Sequence, residues 1–173
     1  MDFKRATMND FSKLADFYKY VIDNTEEIFE QVHWRYGMHP TDELLKKYIS
    51  EGAMYFLSDN GTIVSAMSIP LYQTSDYERI TWQDGTKDDE IATLHIFVVN
   101  PDYHRRGIGT LMLDKCVEVA KELGIKSLRL DTLVANRRSQ ALYKKYGFTY
   151  QGGGVRTLED GDDFDFAYYE YKL

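Results

Sequence analysis

The sequence predicts an α+β (mixed α/β) domain: a central, mostly antiparallel twisted sheet with one parallel strand pair, flanked by helices. Three observations point there. Strands come first, followed by strand, helix, strand and helix in succession and then a last hairpin. The passage from Ile91 to Thr132 reads strand, glycine turn, helix, strand, so its two strands should run parallel with a right-handed crossover. The chain of 173 residues has no linker rich in proline, glycine and serine and no solenoid repeat, which suits one domain over residues 1–173.

Phe3 to Thr7 reads as a short first strand, and Met8-Asn9-Asp10 as the cap of a helix. That helix carries Phe11, Leu14, Ala15, Tyr18, Val21 and Ile22 inward and reaches about Asp23. Asn24 to Pro40 lacks clean periodicity but is dense in Phe29, His33, Trp34, Tyr36 and His39, so it either covers the core as a lid or lines a pocket. Thr41 caps a second helix with Asp42 and Glu43 in its first turn. Ala53 to Leu57 and Thr62 to Leu71 form a hairpin at Asp59-Asn60-Gly61. Tyr77 to Trp82 extends this ribbon, and Asp84-Gly85 turns it back towards Ile91.

Ile91 to Val99 is apolar and β-branched enough for a largely buried strand, stopped by Asn100 and Pro101. Met112, Cys116, Val119, Ala120 and Leu123 then recur at helical spacing, and Gly124 closes that helix in a left-handed cap. Ser127 to Thr132 alternates, with Leu128 and Leu130 on one side and Arg129 and Asp131 on the other. Asn136 starts another helix, ended by Gly147, on which Asn136 and Tyr143 stand two turns apart on one face. Phe148 to Thr157 and Phe164 to Lys172 are the terminal strands, joined through an acidic turn without the ligand spacing of a calcium loop.

With 43% hydrophobic and 28% charged residues the chain is of the globular type. A net charge of −7 argues against a general nucleic-acid binder. No apolar run is long enough to cross a bilayer, and Met1-Asp2-Phe3-Lys4-Arg5 carries no secretory signal, so no membrane partner and a cytoplasmic location are expected. The single cysteine, Cys116, excludes an intrachain disulfide and any multi-cysteine metal site.

The chemistry concentrates in His104-Arg105-Arg106-Gly107-Ile108-Gly109. A helix start exposes unpaired amide hydrogens and the positive end of the helix dipole, and two glycines let an anion approach the backbone. This outlines a phosphate site. A tight glycine turn with solubilising arginines would look the same.

Val98-Val99-Asn100-Pro101-Asp102-Tyr103-His104-Arg105-Arg106-Gly107-Ile108-Gly109, and then Asn136-Arg137-Arg138-Ser139-Gln140-Ala141-Leu142-Tyr143-Lys144-Lys145-Tyr146-Gly147-Phe148, resemble the GNAT superfamily of N-acetyltransferases, in its order and separation. Phe3 to Asp10 resembles its first strand and turn. The resemblance implies a GNAT-like fold, acetyl-coenzyme A as cosubstrate with no metal, and direct acetyl transfer to a primary amine of a small molecule or peptide. It places the pyrophosphate on the amides of Arg105, Arg106, Gly107, Ile108, Gly109 and Thr110. The pantetheine arm follows Phe97, Val98 and Val99, where family members often carry a bulge, and meets Asn136. The amide of Val98 or Val99 would hold the oxyanion, and Tyr143 would protonate the leaving thiolate.

There are departures. His104 replaces the usual first residue of the phosphate motif, and Thr93 stands where several members place a catalytic glutamate. His95, two residues on and on the same face of an unbroken strand, is either the general base or a hydrogen-bonded sheet histidine; Glu90 is a weaker candidate. Trp34, Tyr36, Tyr72, Tyr77 and Trp82 are acceptor contacts or core. A non-catalytic sensor of acyl-coenzyme A is the alternative, resting on Thr93. A nucleotide-dependent oxidoreductase, suggested by Gly107, Gly109 and Asp131, lacks the third glycine, with Met112 in its place. The sequence names no acceptor and leaves the oligomeric state open, a homodimer being one possibility on frequency alone.

Overall fold

The computed structural model describes residues 1–82, 85–158 and 160–173. Its strands fall into two four-stranded sheets. The first contains β1 (Asp2–Arg5), β2 (Met54–Asp59), β3 (Thr62–Ser68) and β5 (His95–Val99), in that spatial order. The second runs β4 (Ile91–Thr93), β6 (Ser127–Leu133), β8 (Asp163–Lys172), β7 (Thr149–Thr157). The pair β4–β6 is parallel, with Ile91 opposite Ser127, while the other pairs are antiparallel. At the β2–β3 loop Asn60 and Gly61 have φ of 49° and 84°, the left-handed pair that a two-residue hairpin of matching twist requires.

The expected single strand from Ile91 to Val99 is divided at Leu94, and its two parts belong to different sheets. The sheets therefore part beyond β4, and β5 and β6 diverge. Opposite β3 the partners pass from Ala66↔Val98 to Ser68↔His95, so β5 carries one extra residue and bulges. At the bulge Ile96 has φ 43°, a conformation that a β-branched side chain normally avoids. The Tyr18 hydroxyl, fully buried, donates to the Ile96 carbonyl at 2.7 Å and fixes the distortion. The bulge thus lies at Ile96 and Phe97, earlier than the expected strand end at Phe97 to Val99.

Helices cover both faces of the first sheet. Alternation along β2 sends Met54 and Phe56 towards α1 (Phe11–Asn24) and α3 (Asp42–Ser50), and Tyr55 and Leu57 towards α4 (Ile108–Glu122). Thr41 Oγ1 accepts from Leu44 N at 3.1 Å, a cap worth about 1 kcal/mol. Cys116 is wholly buried in α4, as expected. Leu123 departs from expectation, half exposed beyond the last helical turn. Between α1 and α3 the aperiodic segment holds a short helix, α2 (Ile28–Val32), and α5 (Arg137–Tyr146) follows β6.

Tyr77 to Trp82 is not a strand. Residues Ser75–Arg79 form a 3₁₀ turn, Ile80 N bonds the Tyr77 carbonyl, and the Trp82 indole stacks on Tyr77, so local bonds replace a ladder. In the turn expected at Asp84-Gly85, Asp84 lies outside the described residues. Arg129 and Glu170, buried with 3.0 Å between Nε and Oε1, tie β6 to β8. Arg129 also bonds Gln73 at 2.8 Å and lies over Trp82, which anchors the 70–82 segment on the second sheet. No described helix is long and apolar enough to cross a membrane.

Candidate active site

A cavity of about 1070 Å³ extends from the glycine turn, along β5 and β6, to a wall formed by α2, residues 33–44 and β7. At the turn end, Arg105 and Gly107 adopt left-handed conformations with φ of 60° and 78°. The first intrahelical bond of α4 runs from Leu111 N to the Gly107 carbonyl, so the amides of Ile108, Gly109 and Thr110 have no partner within the helix. These three residues line the cavity with Arg105 and Gly107, as an anion cradle at the positive helix end. Arg106 is not among the lining residues; its guanidinium lies over the Tyr103 ring, 5.1 Å from the centroid. His104 Nε2 donates to the Val99 carbonyl at 3.1 Å, tying the turn to β5. Burial holds its pKa below the usual value, helped by Arg138 and Arg105.

Midway, Phe97, Val98, Val99, Asn136 and Tyr143 all face the cavity. Asn136 Oδ1 caps α5 through Ser139 N at 3.1 Å while Nδ2 donates to Thr132 Oγ1 at 3.3 Å, so one side chain fixes helix to strand. Tyr143 is buried, and burial raises its pKa well above that of a free phenol, with Asp131 and Cys116 adding to the shift. The hydroxyl keeps its proton and is a donor.

The candidate bases separate. Thr93 is fully buried, outside the cavity lining, with its hydroxyl donating to the Tyr72 carbonyl at 2.8 Å. His95 lines the cavity. The break at Leu94 is why Thr93 and His95 do not share the face that an unbroken strand would give them. Burial lowers the His95 pKa, Asp131 opposes this, and Arg156 adds to it, so the imidazole is neutral at neutral pH. Glu90 does not line the cavity; its carboxylate accepts from Lys87 N. Of the proposed aromatic contacts Trp34 lines the cavity, whereas Tyr36, Tyr72, Tyr77 and Trp82 do not.

Beside His95 lies a charged cluster of which the sequence singled out only Asp131, and that for the oxidoreductase reading. Asp131 accepts from the Tyr77 hydroxyl at 2.6 Å and from Arg156 Nη1 at 2.7 Å, and Arg156 Nη2 reaches Asp76 at 3.1 Å. Arg156 also stacks on Phe166. The signal for Asp131 was its place among buried apolar residues of a strand; Arg156 and Asp76 carried none. At the rim His33 Nε2 bonds Asp160, closing α2 against the β7–β8 turn.

A model of the Acetyltransferase (GNAT) family matches residues 14–148. The chain belongs to this family. Over 67 residues it is 36% identical to an uncharacterised N-acetyltransferase of Methanocaldococcus jannaschii, covering 39% of this chain and 30% of that protein. It is 35% identical over 57 residues to the ribosomal protein bS18-alanine N-acetyltransferase of Escherichia coli K12, covering 33% and 38%, and 43% identical over 72 residues to thialysine N-epsilon-acetyltransferase of Bos taurus, covering 35% and 42%. The matches thus span less than half of these relatives' length. The fold extends further: a GNAT acetyltransferase structure from Streptococcus pneumoniae superposes with a TM-score of 0.72 at 20% identity, over 99% of this chain and 98% of that one.

Proposed function

We propose that this GNAT protein transfers an acetyl group from acetyl-coenzyme A to a primary amine of a small molecule or peptide by direct attack. The observation that carries the reading is one cavity joining an anion cradle, a divergent strand pair, a buried tyrosine donor and a neutral histidine. The pyrophosphate rests on the amides of the turn from Arg105 to Thr110, with His104 bracing it, and the pantetheine follows Phe97 to Val99 past Asn136. A relative of this fold, from Salmonella typhimurium, is described with its cofactor acetyl-CoA.

His95 takes a proton from the acceptor's ammonium, the amine attacks the thioester carbon, and Tyr143 protonates the departing thiolate. For the oxyanion, the register favours Val99 over Val98. Asn100 N donates to Val64 O, so ladder alternation puts Val98 in the hydrogen-bonded pair with Ala66 and turns the Val99 amide away from β3. The buried, unpaired thiol of Cys116 fits a cytoplasmic setting.

The test is a mass-spectrometric screen of amines with acetyl-coenzyme A, in which at least one amine should gain an acetyl group. With that amine, Tyr143→Phe should lower kcat about a hundredfold and leave coenzyme A affinity within about twofold. Equal, small effects on both would remove Tyr143 as the acid.

A further inference from the structure

We propose that Asp131 is the positioning residue of a His95–Asp131 dyad: its carboxylate faces His95 Nδ1, sets the ring proton there, and leaves Nε2 to receive the proton of the acceptor's ammonium. This rests on the acetyl-transfer reading and specifies how its base is prepared.

The geometry begins with Asp131, which is held on two sides. Oδ1 accepts from the Tyr77 hydroxyl at 2.6 Å and Oδ2 from Arg156 Nη1 at 2.7 Å. Neither donor is free to swing. Tyr77 is fully buried, and Arg156 is held by Asp76 at 3.1 Å and by the Phe166 ring at 3.9 Å. The carboxylate's remaining approach is occupied by His95, whose Nδ1 lies 3.8 Å from Oδ1. This is ion-pair range, longer than a hydrogen bond, and catalytic hydrogen bonds commonly tighten when substrate is seated. Tyr77 also meets the imidazole edge-on, with centroids 6.1 Å apart. With Nδ1 turned inward, Nε2 lies on the opposite side of the ring, and among the described residues neither nitrogen has a hydrogen-bonded partner.

A carboxylate at Nδ1 does two things. It selects the tautomer with the proton on Nδ1, which gives Nε2 its lone pair, and it stabilises the imidazolium once Nε2 is protonated. The groups around His95 are Asp131 on β6, Arg156 on β7, His39 from the loop before α3, whose own pKa His95 helps to lower, and Tyr77. Burial and Arg156 disfavour a cationic ring, so Asp131 is the group among them that restores basicity. The protons balance: the ammonium gives one to Nε2, the thiolate takes one from Tyr143, and the surplus proton on the new amide nitrogen returns to the phenolate through solvent. His95 then releases its proton to water.

Nitrogen-15 NMR of the full protein labelled at histidine reports the tautomer directly, with His95→Gln assigning the signal. At pH 8 the wild-type ring should carry its proton on Nδ1. In Asp131→Asn the amide oxygen stays with Arg156 and an NH₂ turns towards Nδ1, so the proton should move to Nε2. With an amine from the screen, kcat should then fall at least about tenfold, the KM for acetyl-coenzyme A should stay within about twofold, and the acid limb of the rate profile should move to lower pH. A wild-type ring protonated on Nε2 overturns the dyad, and decides the matter even if Asp131→Asn does not fold. An unchanged tautomer and acid limb in a folded Asp131→Asn protein also overturns it. Retained turnover in His95→Gln removes the base assignment itself, an outcome separable from the tautomer result.

Discussion

The two ends of the cavity are built by different means. The end proposed to hold the donor is a contiguous run of chain, Arg105 to Thr110, whose chemistry is that of backbone amides at the start of α4. The end proposed to take the acceptor is assembled from side chains on separate segments: Trp34 and His39 before α3, Asp76 in a 3₁₀ turn, His95 on β5, Asp131 on β6 and Arg156 on β7. A backbone site tolerates a change such as His104 at its edge, because the donors remain when the side chain differs. A side-chain site can change shape or charge with a single substitution, so on this proposal specificity would be set there.

The largest effect that would test this division is expected from Arg156→Leu. It leaves Asp131 and Asp76 without their shared cation, and kcat/KM for an accepted amine should fall about a hundredfold. Coenzyme A affinity, measured by calorimetry, should stay within about twofold; a parallel loss would show the ends to be one unit. Gly107→Val should do the reverse. Its φ of 78° costs a side chain about 1–2 kcal/mol, so coenzyme A should bind about tenfold more weakly, while the His95 tautomer observed by NMR stays as in the wild type.

The smallest effect concerns pH. Burial holds both His95 and His104 below the usual 6.5, so below that pH the unfolded chain takes up protons that the folded chain does not. Their contribution to stability is complete above 6.5 and is lost as pH falls through the folded-state values. Thermal melts of wild type and His104→Gln should differ in this acid-side slope by roughly a few degrees in Tm, with equal slopes arguing against a neutral, partly buried His104.

The glycine turn and the helix starts beside it were legible in the sequence because their determinants are local. Glycines at left-handed positions, a change of period at Gly109 and the Asn136 cap each act within a few residues. The division at Leu94 was not legible. Ile91 to Val99 has the composition of one strand, and only the distant Tyr18 accounts for Ile96 at positive φ. Tyr77 to Trp82 misled for a related reason: its aromatic residues pack on a 3₁₀ turn and on Arg129 rather than along a ladder. Arg156 gave no sign in a glycine-rich edge strand, since its role is created by the partners that tertiary structure brings to it.

The bond from Tyr18 to the Ile96 carbonyl spans 78 residues. Loop closure of that length comes late, after local turns and helices have formed. On contact separation alone, the anion cradle is expected to form early from local contacts, and the bulge to be fixed only once α1 docks on the sheet. During synthesis the phenol emerges first and waits for its acceptor. Loss of this one contact would leave the glycine turn intact and unshape the strand that runs from it along the cavity.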